Sequence, residues 1–306
     1  MIHINNTRSS EINAVRKTDF LRYVPVAIFA AMMSLTSCVK DKLFDTPHPD
    51  HGKVAVTADW TARGEGIAVP EKWTVNIGDY TGEETTGTHA PDDLFAPGEY
   101  RIIAYNSVKD IAVSGTTASV ASAGGRGGFI SGTPGVLFTH VRDVLIEKDK
   151  EYAFTAAMCQ QTGRLTLMIE PTGDAAGRIE SIEGSLSGVA GTMDFATGTY
   201  GAPSEVALHF TKITAGENAG KWTATVWLLG VTGDVQQLSA TIAYTDGNPR
   251  PTALESDLTD ALKDFNEDKT EALTLGGTVV ETPTEGVFSA TITDWEEGDG
   301  DSGIAE

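Results

Sequence analysis

Four residues near the start of the chain have the types and order that covalent lipid attachment requires. Leu35, Thr36, Ser37 and Cys38 put one large apolar residue and two small ones directly before a cysteine. This order is typical of a lipobox, in which the cysteine is the point of lipid attachment and becomes the new N-terminus after cleavage. We therefore expect lipidation at Cys38 and removal of residues 1–37 as a lipoprotein signal peptide.

The residues before the lipobox have the layout of an export signal. Arg16, Lys17 and Arg22 supply a positive region, and an apolar run follows over residues 23–35. This run is shorter than the ~20 apolar residues that a membrane-spanning helix needs, and Pro25 interrupts it. Acyl chains on the cysteine would instead hold the protein at the membrane, because each buried methylene contributes about 0.8 kcal/mol. The alternatives are a buried helix and an ordinary cleaved signal with a chance cysteine.

The charge of the chain limits its partners. The 306 residues carry a formal net charge of −21, from 22 basic and 43 acidic residues. The leader holds four of the basic and two of the acidic residues, so the remainder carries 18 basic and 41 acidic residues and a net charge of −23. Such a surface repels the phosphates of nucleic acids and the headgroups of anionic membranes. We therefore expect a surface protein without a nucleic-acid partner.

The second cysteine of the chain, Cys159, has no disulfide partner if the first carries lipid. Its neighbours Ala156, Ala157 and Met158 are apolar, and no histidine follows at a spacing typical of a catalytic thiol. We expect Cys159 to be a small buried residue. The stability of the fold must then come from its hydrophobic core.

A search for catalytic and metal-binding patterns leaves few candidates. The chain has no nucleophile elbow, phosphate loop, paired cysteines or metalloprotease helix. Residues 48–51 (His-Pro-Asp-His) offer two imidazoles and a carboxylate, but they belong to a linker that contains two prolines. Residues 299–301 (Asp-Gly-Asp) resemble the start of a calcium loop without its remaining ligands. We therefore predict a non-enzymatic protein with no catalytic residue, metal site or cofactor.

Alternating apolar residues predict an all-β fold. Val54, Val56, Ala58 and Trp60 fall on one face of a half-buried strand. Similar segments recur at the spacing of β-sandwiches, between Thr-Gly, Ala-Gly and Asp-Gly pairs that are typical of turns. The Gly- and Ser-rich stretch 114–132 is predicted to be a long loop. We expect two tandem sandwich domains, with a tether over 38–52, an N-terminal domain over 53–157, a C-terminal domain over 158–296 and an acidic mobile tail over 297–306.

One short amphipathic helix is predicted in the C-terminal domain. Leu258, Ala261, Leu262 and Phe265 follow the i, i+3, i+4, i+7 spacing of a helix with one apolar face. Ser256 is a suitable N-cap for this segment. Because the helix is short, we expect packing against a sheet to hold it in place.

Four segments of the chain form a recognisable set. They are the lipobox, residues 98–106 (GEYRIIAYN), residues 182–191 (IEGSLSGVAG) with 194–198 after them, and residues 291–295 (TITDW). Together they resemble the fimbrial subunits of Bacteroidia-type (type V) pili, and most closely the FimB-like branch of fimbrillin and anchor lipoproteins. The resemblance spans most of the chain after the signal peptide. It implies that the two sandwiches are transthyretin-like.

The resemblance also implies a mode of assembly. In polymerising members of the family, an arginine-specific protease cuts after the first strand and releases the lipidated piece, which opens a groove for a strand of the next subunit. This is β-strand addition, in which an unpaired edge and apolar pockets take up an incoming strand. Arg63 lies in the loop after the first predicted strand and is the candidate processing site. Anchor members resist cutting and keep their lipid, and an ordinary loop arginine is the alternative for Arg63.

The combined prediction is a lipid-anchored fimbrial subunit at the outer membrane or cell surface, acting in adhesion as an anchor or as an accessory or tip component. Its predicted partners are other fimbrial subunits, the outer membrane through the lipid, and a host or bacterial surface ligand. The alternative is a carbohydrate-binding surface lipoprotein, since lipid-tethered β-sandwiches often bind glycans through exposed aromatic residues. The candidates for such contacts are Trp60, Trp73, Trp222, Trp227 and Trp295, for each of which core packing is the more common role.

Overall fold

The fold is taken from a computed structural model of the chain. It describes residues 50–124, 128–174, 176–247, 250–282, 289–292 and 295–298. The predicted lipobox, which comprises Leu35, Thr36, Ser37 and Cys38, lies outside these ranges. Residues 299–301 and most of the predicted tether also lie outside them.

The N-terminal part of the described chain contains two sheets that share one core. One has three strands, in the order β4 (Thr88–His89), β1 (Lys53–Asp59) and β9 (Glu151–Ala157). The other has five strands, in the order β10 (Cys159–Gln160), β8 (Phe138–Ile146), β5 (Gly98–Tyr105), β2 (Trp73–Ile77) and β3 (Tyr80–Glu84). We call this pair the first sandwich.

The alternation seen in the sequence fixes which side chains fill the first sandwich. Val54 and Val56 of β1 are fully buried, which confirms the predicted strand and its inward face. They belong to one apolar cluster with Trp73 and Phe138 of the facing sheet. Trp60 follows β1 and meets the ring of Phe138 edge-to-face, with the centroids 5.6 Å apart.

Most strands after residue 162 close into a ring. The ring runs β11 (Gly163–Pro171), β16 (Trp222–Leu228), β15 (Pro203–Lys212), β12 (Ile179–Ala190), β17 (Gln237–Tyr244), β18 (Thr252–Asp257), β20 (Ser289–Thr291) and β19 (Leu273–Thr282). β19 then pairs in parallel with β11, so the first and last strands of the ring meet. β21 (Glu296–Glu297) pairs with β19 beside the ring. Each strand of the ring therefore has a described neighbour on each side over at least part of its length.

Two strands close the ring by changing partners along their length. β15 pairs first with β12 and then, through Thr211 and Lys212, with β16. β19 pairs with β11 and, from Val280 onward, with β20. β12 contains a bulge at Gly188, where φ is +73° and a Cβ would collide with the carbonyl oxygen of Val235. Only glycine fits this position without strain.

A third sheet takes two strands from each side of residue 157. Its order is β14 (Thr199–Tyr200), β13 (Thr192–Asp194), β7 (Thr117–Val120) and β6 (Ile111–Ser114). The predicted loop 114–132 is therefore wrong in part, because it contains β7. The small side chains of this stretch led to the loop prediction, but a small residue is what this buried position holds. Ala118 is fully buried in one cluster with Leu137 and Met193. The domain boundary at 157/158 stays a prediction.

The predicted helix is not a regular helix. Residues 259–267 form consecutive turns. The N–H of Leu262 donates to the carbonyl of Leu258, four residues earlier, at 2.9 Å, whereas the N–H of Phe265 donates to the carbonyl of Leu262, only three residues earlier, at 3.1 Å. Ser256 belongs to β18 instead of capping a helix, and the Asp257 carboxylate accepts the N–H of the residue two positions later at 2.9 Å. The apolar face was predicted correctly, because Leu258, Leu262 and Phe265 are all buried in the ring core.

Candidate functional site

β1 is the central strand of its sheet and the first strand after the predicted tether. It pairs in parallel with β9 along its whole length and antiparallel with β4 at Val56 and Thr57. Its removal would break both ladders and take Val54 and Val56 out of the core, where each contributes roughly 1.5–3 kcal/mol through burial. The first strand, which a protease would release in polymerising members of the resembled family, is therefore central to the first sandwich.

The outer edge of β9 has no strand partner within the described part of the chain. The N–H of Met158 donates to the carbonyl of Asp59 at 2.8 Å. In a parallel ladder, alternate residues bond to the partner strand, so every second residue before Met158 also bonds to β1. Glu151, Ala153 and Thr155 consequently direct their N–H and C=O groups away from β1. β9 thus offers a row of unpaired backbone donors and acceptors.

The edge of β8 beside β9 has no strand partner beyond Thr139 in the described part of the chain, and one side-chain contact crosses to β9, from Nδ1 of His140 to the carbonyl oxygen of Ala157 at 3.1 Å. β10 pairs only with Phe138 and Thr139 of β8, and no other described strand lies on that side. Tyr152 and Phe154 of β9 pack against the core of the first sandwich and stack on each other, with centroids 5.6 Å apart and planes 12° apart. The Arg142 guanidinium of β8 lies 5.1 Å from the Phe154 centroid. We call the gap between the outer edges of β8 and β9 the seam.

The opposite side of the first sandwich is closed by side chains. The Tyr80 hydroxyl of β3 meets Nε2 of His89 on β4 at 2.9 Å, and Nδ1 of His89 meets the Glu84 carboxylate at 3.3 Å. Hydrogen bonds from Thr86 lower the pKa of Glu84 to about 2, and the bond from the Thr86 N–H has the largest effect, followed by the bond from its hydroxyl. The ionised carboxylate therefore fixes the imidazole, which bridges the two sheet edges.

The edges of the first sandwich thus differ in how they are protected. Exposed edges usually carry charges, prolines or bulges, or are very short. β4 and β10 have two residues each, and β3 carries Glu83 and Glu84. β9 has seven residues and no proline, lysine or bulge, and its one charged residue is Glu151 at its start. Among the described edges of the first sandwich, residues 152–157 are the longest stretch without a charged residue.

The structure places Arg63 in the loop after β1 but does not leave it free. Its Nε donates to the carbonyl of Ile67 at 3.0 Å and its Nη1 to the carbonyl of Trp60 at 2.9 Å. The next residue, Gly64, is buried, and a Cβ there would collide with the carbonyl oxygen of Thr270. A protease that takes an arginine into its pocket must first release both contacts.

Gln160 joins this loop to the segment before β19. Its Oε1 accepts the N–H of Gly64 at 3.0 Å, and its Nε2 donates to the carbonyls of Lys269 at 2.6 Å and Thr162 at 2.9 Å. Gln160 is 8% exposed, so these bonds are shielded from water. We call this arrangement the Gln160 latch. It holds the peptide bond after Arg63 against the rest of the fold.

Lys269 is a buried cation next to the latch. Its Nζ donates to the Tyr200 hydroxyl at 2.8 Å and lies 5.0 Å from the centroid of that ring. The lysine is 8% exposed and has no carboxylate partner among the described residues. Burial therefore lowers the pKa of Lys269 from 10.5 to about 8, because desolvation disfavours the charged form.

The five tryptophans occupy three kinds of site. Trp73 and Trp222 are buried in the cores, and Trp60 and Trp295 pack against them. Trp227 is half-buried and belongs to none of the apolar clusters. It lines a cleft of about 950 Å³ between the loop after β1, the outer face of β11 and β16, and the segment before β19.

Three further points concern the free cysteine, metal binding and membrane-spanning helices. Cys159 is exposed, which corrects the predicted burial: it follows the buried Met158 on an alternating segment and therefore points outward. In the described ranges, no group of three or more His, Cys, Asp or Glu side chains is placed to hold a metal. The same ranges contain no helix with the length and apolarity that a membrane span requires.

Loss of the Gln160 latch should expose the bond after Arg63. Gln160→Ala removes three shielded hydrogen bonds, each worth about 1 kcal/mol. Because cleavage of a folded loop follows the population of its open form, we expect trypsin to cut after Arg63 at least about fivefold faster. Gln161→Ala is the matched control, since its side chain makes one long bond to the Cys159 carbonyl. Equal cleavage rates in both variants, measured by mass spectrometry of the released fragment, would contradict the latch.

The lowered pKa of Lys269 should appear in the pH dependence of stability. Between pH 8 and 10 the unfolded chain binds more protons at this site than the folded chain, so the free energy of unfolding rises with pH. The expected rise is roughly 2 kcal/mol, relative to Lys269→Met, which lacks the titrating group. Urea unfolding of both proteins at pH 7, 8, 9 and 10 measures the difference. A constant difference between them over this range would show that Lys269 titrates normally.

Comparisons with known proteins place the fold. No protein-family model and no curated protein matches the chain. A candidate adhesin from Bacteroides ovatus is 17% identical with a TM-score of 0.55, over 82% of this chain and 95% of that one. A second candidate adhesin from the same species is 12% identical with a TM-score of 0.54, over 82% and 96%.

The fimbrial anchor protein Mfa2 from Porphyromonas gingivalis shows the same likeness. It is 12% identical with a TM-score of 0.53, over 81% of this chain and 97% of that one. At these identities the likeness shows the fold, and it confirms at that level the resemblance to fimbrial proteins. The chain has the all-β fold of these adhesin-like and fimbrial-anchor structures.

Proposed function

We propose that the chain is a non-enzymatic surface lipoprotein that serves as a fimbrial subunit with an anchoring role. Cys38 carries the lipid in the outer membrane, and β1 joins the predicted tether to the folded body. The observation that carries the proposal is the position of β1 between β4 and β9, with an open seam beside it. The shared fold with Mfa2, a fimbrial anchor protein, supports the same role.

The anchoring role requires that the chain is not cut after Arg63. Both carbonyl contacts of the Arg63 guanidinium and the Gln160 latch oppose cutting. If the loop stays intact, β1 remains bonded to its two neighbours and the lipid stays attached to the body. A stalk subunit would need the opposite behaviour, with β1 released to make room for an incoming strand.

An uncut anchor needs another place to receive a fimbrial partner, and the seam meets the requirements of strand addition. The outward amides and carbonyls of Glu151, Ala153 and Thr155 offer main-chain pairing. The stacked rings of Tyr152 and Phe154 offer apolar contact for alternate side chains of the incoming strand. Other fimbrial subunits are the proposed partners.

Lipidation and processing are tested by the mass of the protein recovered from its native membrane. We expect an N-terminal acylated Cys38, with residues 1–37 removed. Cys38→Ala should leave the membrane fraction, whereas Cys159→Ala, which changes an exposed free thiol, should remain there. A chain that begins at Gly64 would contradict the anchoring role and favour a processed stalk subunit. An unmodified Cys38 would contradict the lipoprotein assignment.

Strand addition at the seam is tested by a proline on β9. Ala153→Pro removes an outward N–H and leaves the bonds between β1 and β9 in place. We expect the fraction of the chain that sediments with fimbriae sheared from its native cells to fall at least about tenfold. Ala153→Ser keeps the N–H and serves as the control, and thermal unfolding verifies that both variants fold. Unchanged sedimentation of a folded Ala153→Pro variant would exclude this edge as the contact.

A further inference from the structure

The cleft beside Trp227 combines features that strand addition at the seam does not use. It has a volume of about 950 Å³ and is lined by side chains from several elements, including Arg63, Arg164, Trp227, Lys269 and Glu297. This volume lies in the usual range of about 300–1,000 Å³ for small-molecule sites. The lining is mostly polar, with one large aromatic wall, so the cleft is not an unfilled part of a core.

Trp227 lies on the outer face of the ring, outside the apolar clusters. Its strand neighbours Val226 and Leu228 point into the ring core, so alternation turns the indole outward. Trp73 and Trp295 donate their indole N–H to Thr86 and Ser256, whereas no described group accepts the N–H of Trp227. A large indole outside every core and without a hydrogen-bond partner is available to a ligand.

Arg164 stands directly beside this indole. The two residues are opposite each other in the β11–β16 register, so their side chains share the outer face. The Nε of Arg164 is buried and has no hydrogen-bond partner among the described residues. Such a donor is costly to leave unpaired. The two Nη groups of Arg164 make no hydrogen bond or ion pair among the described residues and are not buried, so they are the part of the guanidinium that can donate to an oxygen in the cleft.

Acceptors complete the lining. Glu65, Glu271 and Glu297 line the cleft and are exposed, and no ion pair engages them within the described residues. With Arg63, Arg164 and Lys269 the cleft carries charges of both signs, although the chain as a whole is strongly acidic. Planar donors and acceptors of both signs around one aromatic face suit a ligand with hydroxyl groups better than a strong anion.

We propose that this cleft is a binding site for a short oligosaccharide. The C–H face of a sugar ring stacks on Trp227, Arg164 donates to ring hydroxyls, and the carboxylates around the cleft accept from them. The cleft and the seam are separate places, because the seam lies between β8 and β9 and the cleft lies between the loop after β1 and the outer face of the ring. The cleft shares Arg63 with the candidate processing site, so it is complete only in the uncut chain of the proposed anchor. A chain with both would hold a fimbrial partner at one place and a glycan at another.

The test uses the full-length protein recovered from membranes. Its binding is measured on an array of host and microbial oligosaccharides, and by saturation-transfer NMR with maltose, cellobiose, lactose, mannobiose, chitobiose and digalacturonate. Trp227→Ala and Arg164→Met should each lower the affinity for the bound sugar at least about tenfold. Trp227→Phe, which keeps an aromatic face, should recover most of the affinity.

Tyr105→Ala is the matched control, because Tyr105 is a half-buried aromatic residue on β5 outside the cleft and outside the apolar clusters. Its sugar binding should equal that of the unchanged protein, and thermal unfolding should show that all variants are folded. Absence of binding to every array oligosaccharide and every disaccharide overturns the proposal. Binding that survives both Trp227→Ala and Arg164→Met overturns it as well. Neither result bears on lipidation or on strand addition at the seam.

Discussion

The pairing of β1 with both β4 and β9 is the constraint on which the first sandwich depends. β1 supplies the fully buried Val54 and Val56, and among the described strands it alone pairs with β9. Its N-terminal end leads to the predicted tether, and its C-terminal end leads into the loop of Arg63. One strand therefore supplies core residues, continues from the predicted tether and leads into the loop of the candidate processing site, so a change in β1 affects all three.

The Gln160 latch extends that dependence beyond the first sandwich. Through a single buried amide, the backbone of Gly64 is connected to the carbonyl of Lys269, which belongs to the segment that leads into the ring. Lys269 itself is held by Tyr200 in a site that disfavours its charge. The loop after β1 is therefore kept closed by contacts with residues about 100 and 200 positions later in the chain, an arrangement of long-range contacts that raises the cooperativity of the whole structure.

Much of the fold could be predicted from local pattern, and most of the site could not. Strand alternation identified β1, because an inward apolar face is visible in period two. The turn segment around Leu262 shared its spacing with a helix, so the buried residues were predicted correctly but their backbone was not. The latch and the buried Lys269 depend on residues distant in sequence, and a glutamine or lysine is normally expected on the surface. Trp227 was a candidate with four others, and only tertiary structure separated it from them.

The closed ring has a further consequence for assembly. A subunit that can accept a strand at one place and offers no second free edge has a valence of one: it can start or end a fibre but cannot continue it. Within the described residues, each ring strand has a neighbour on both sides over part of its length, the edge strands of the third sheet are short, and the open edges of the first sandwich meet at the seam. The number of such chains per fibre would then be set by the number of fibre ends, and it would not increase with fibre length.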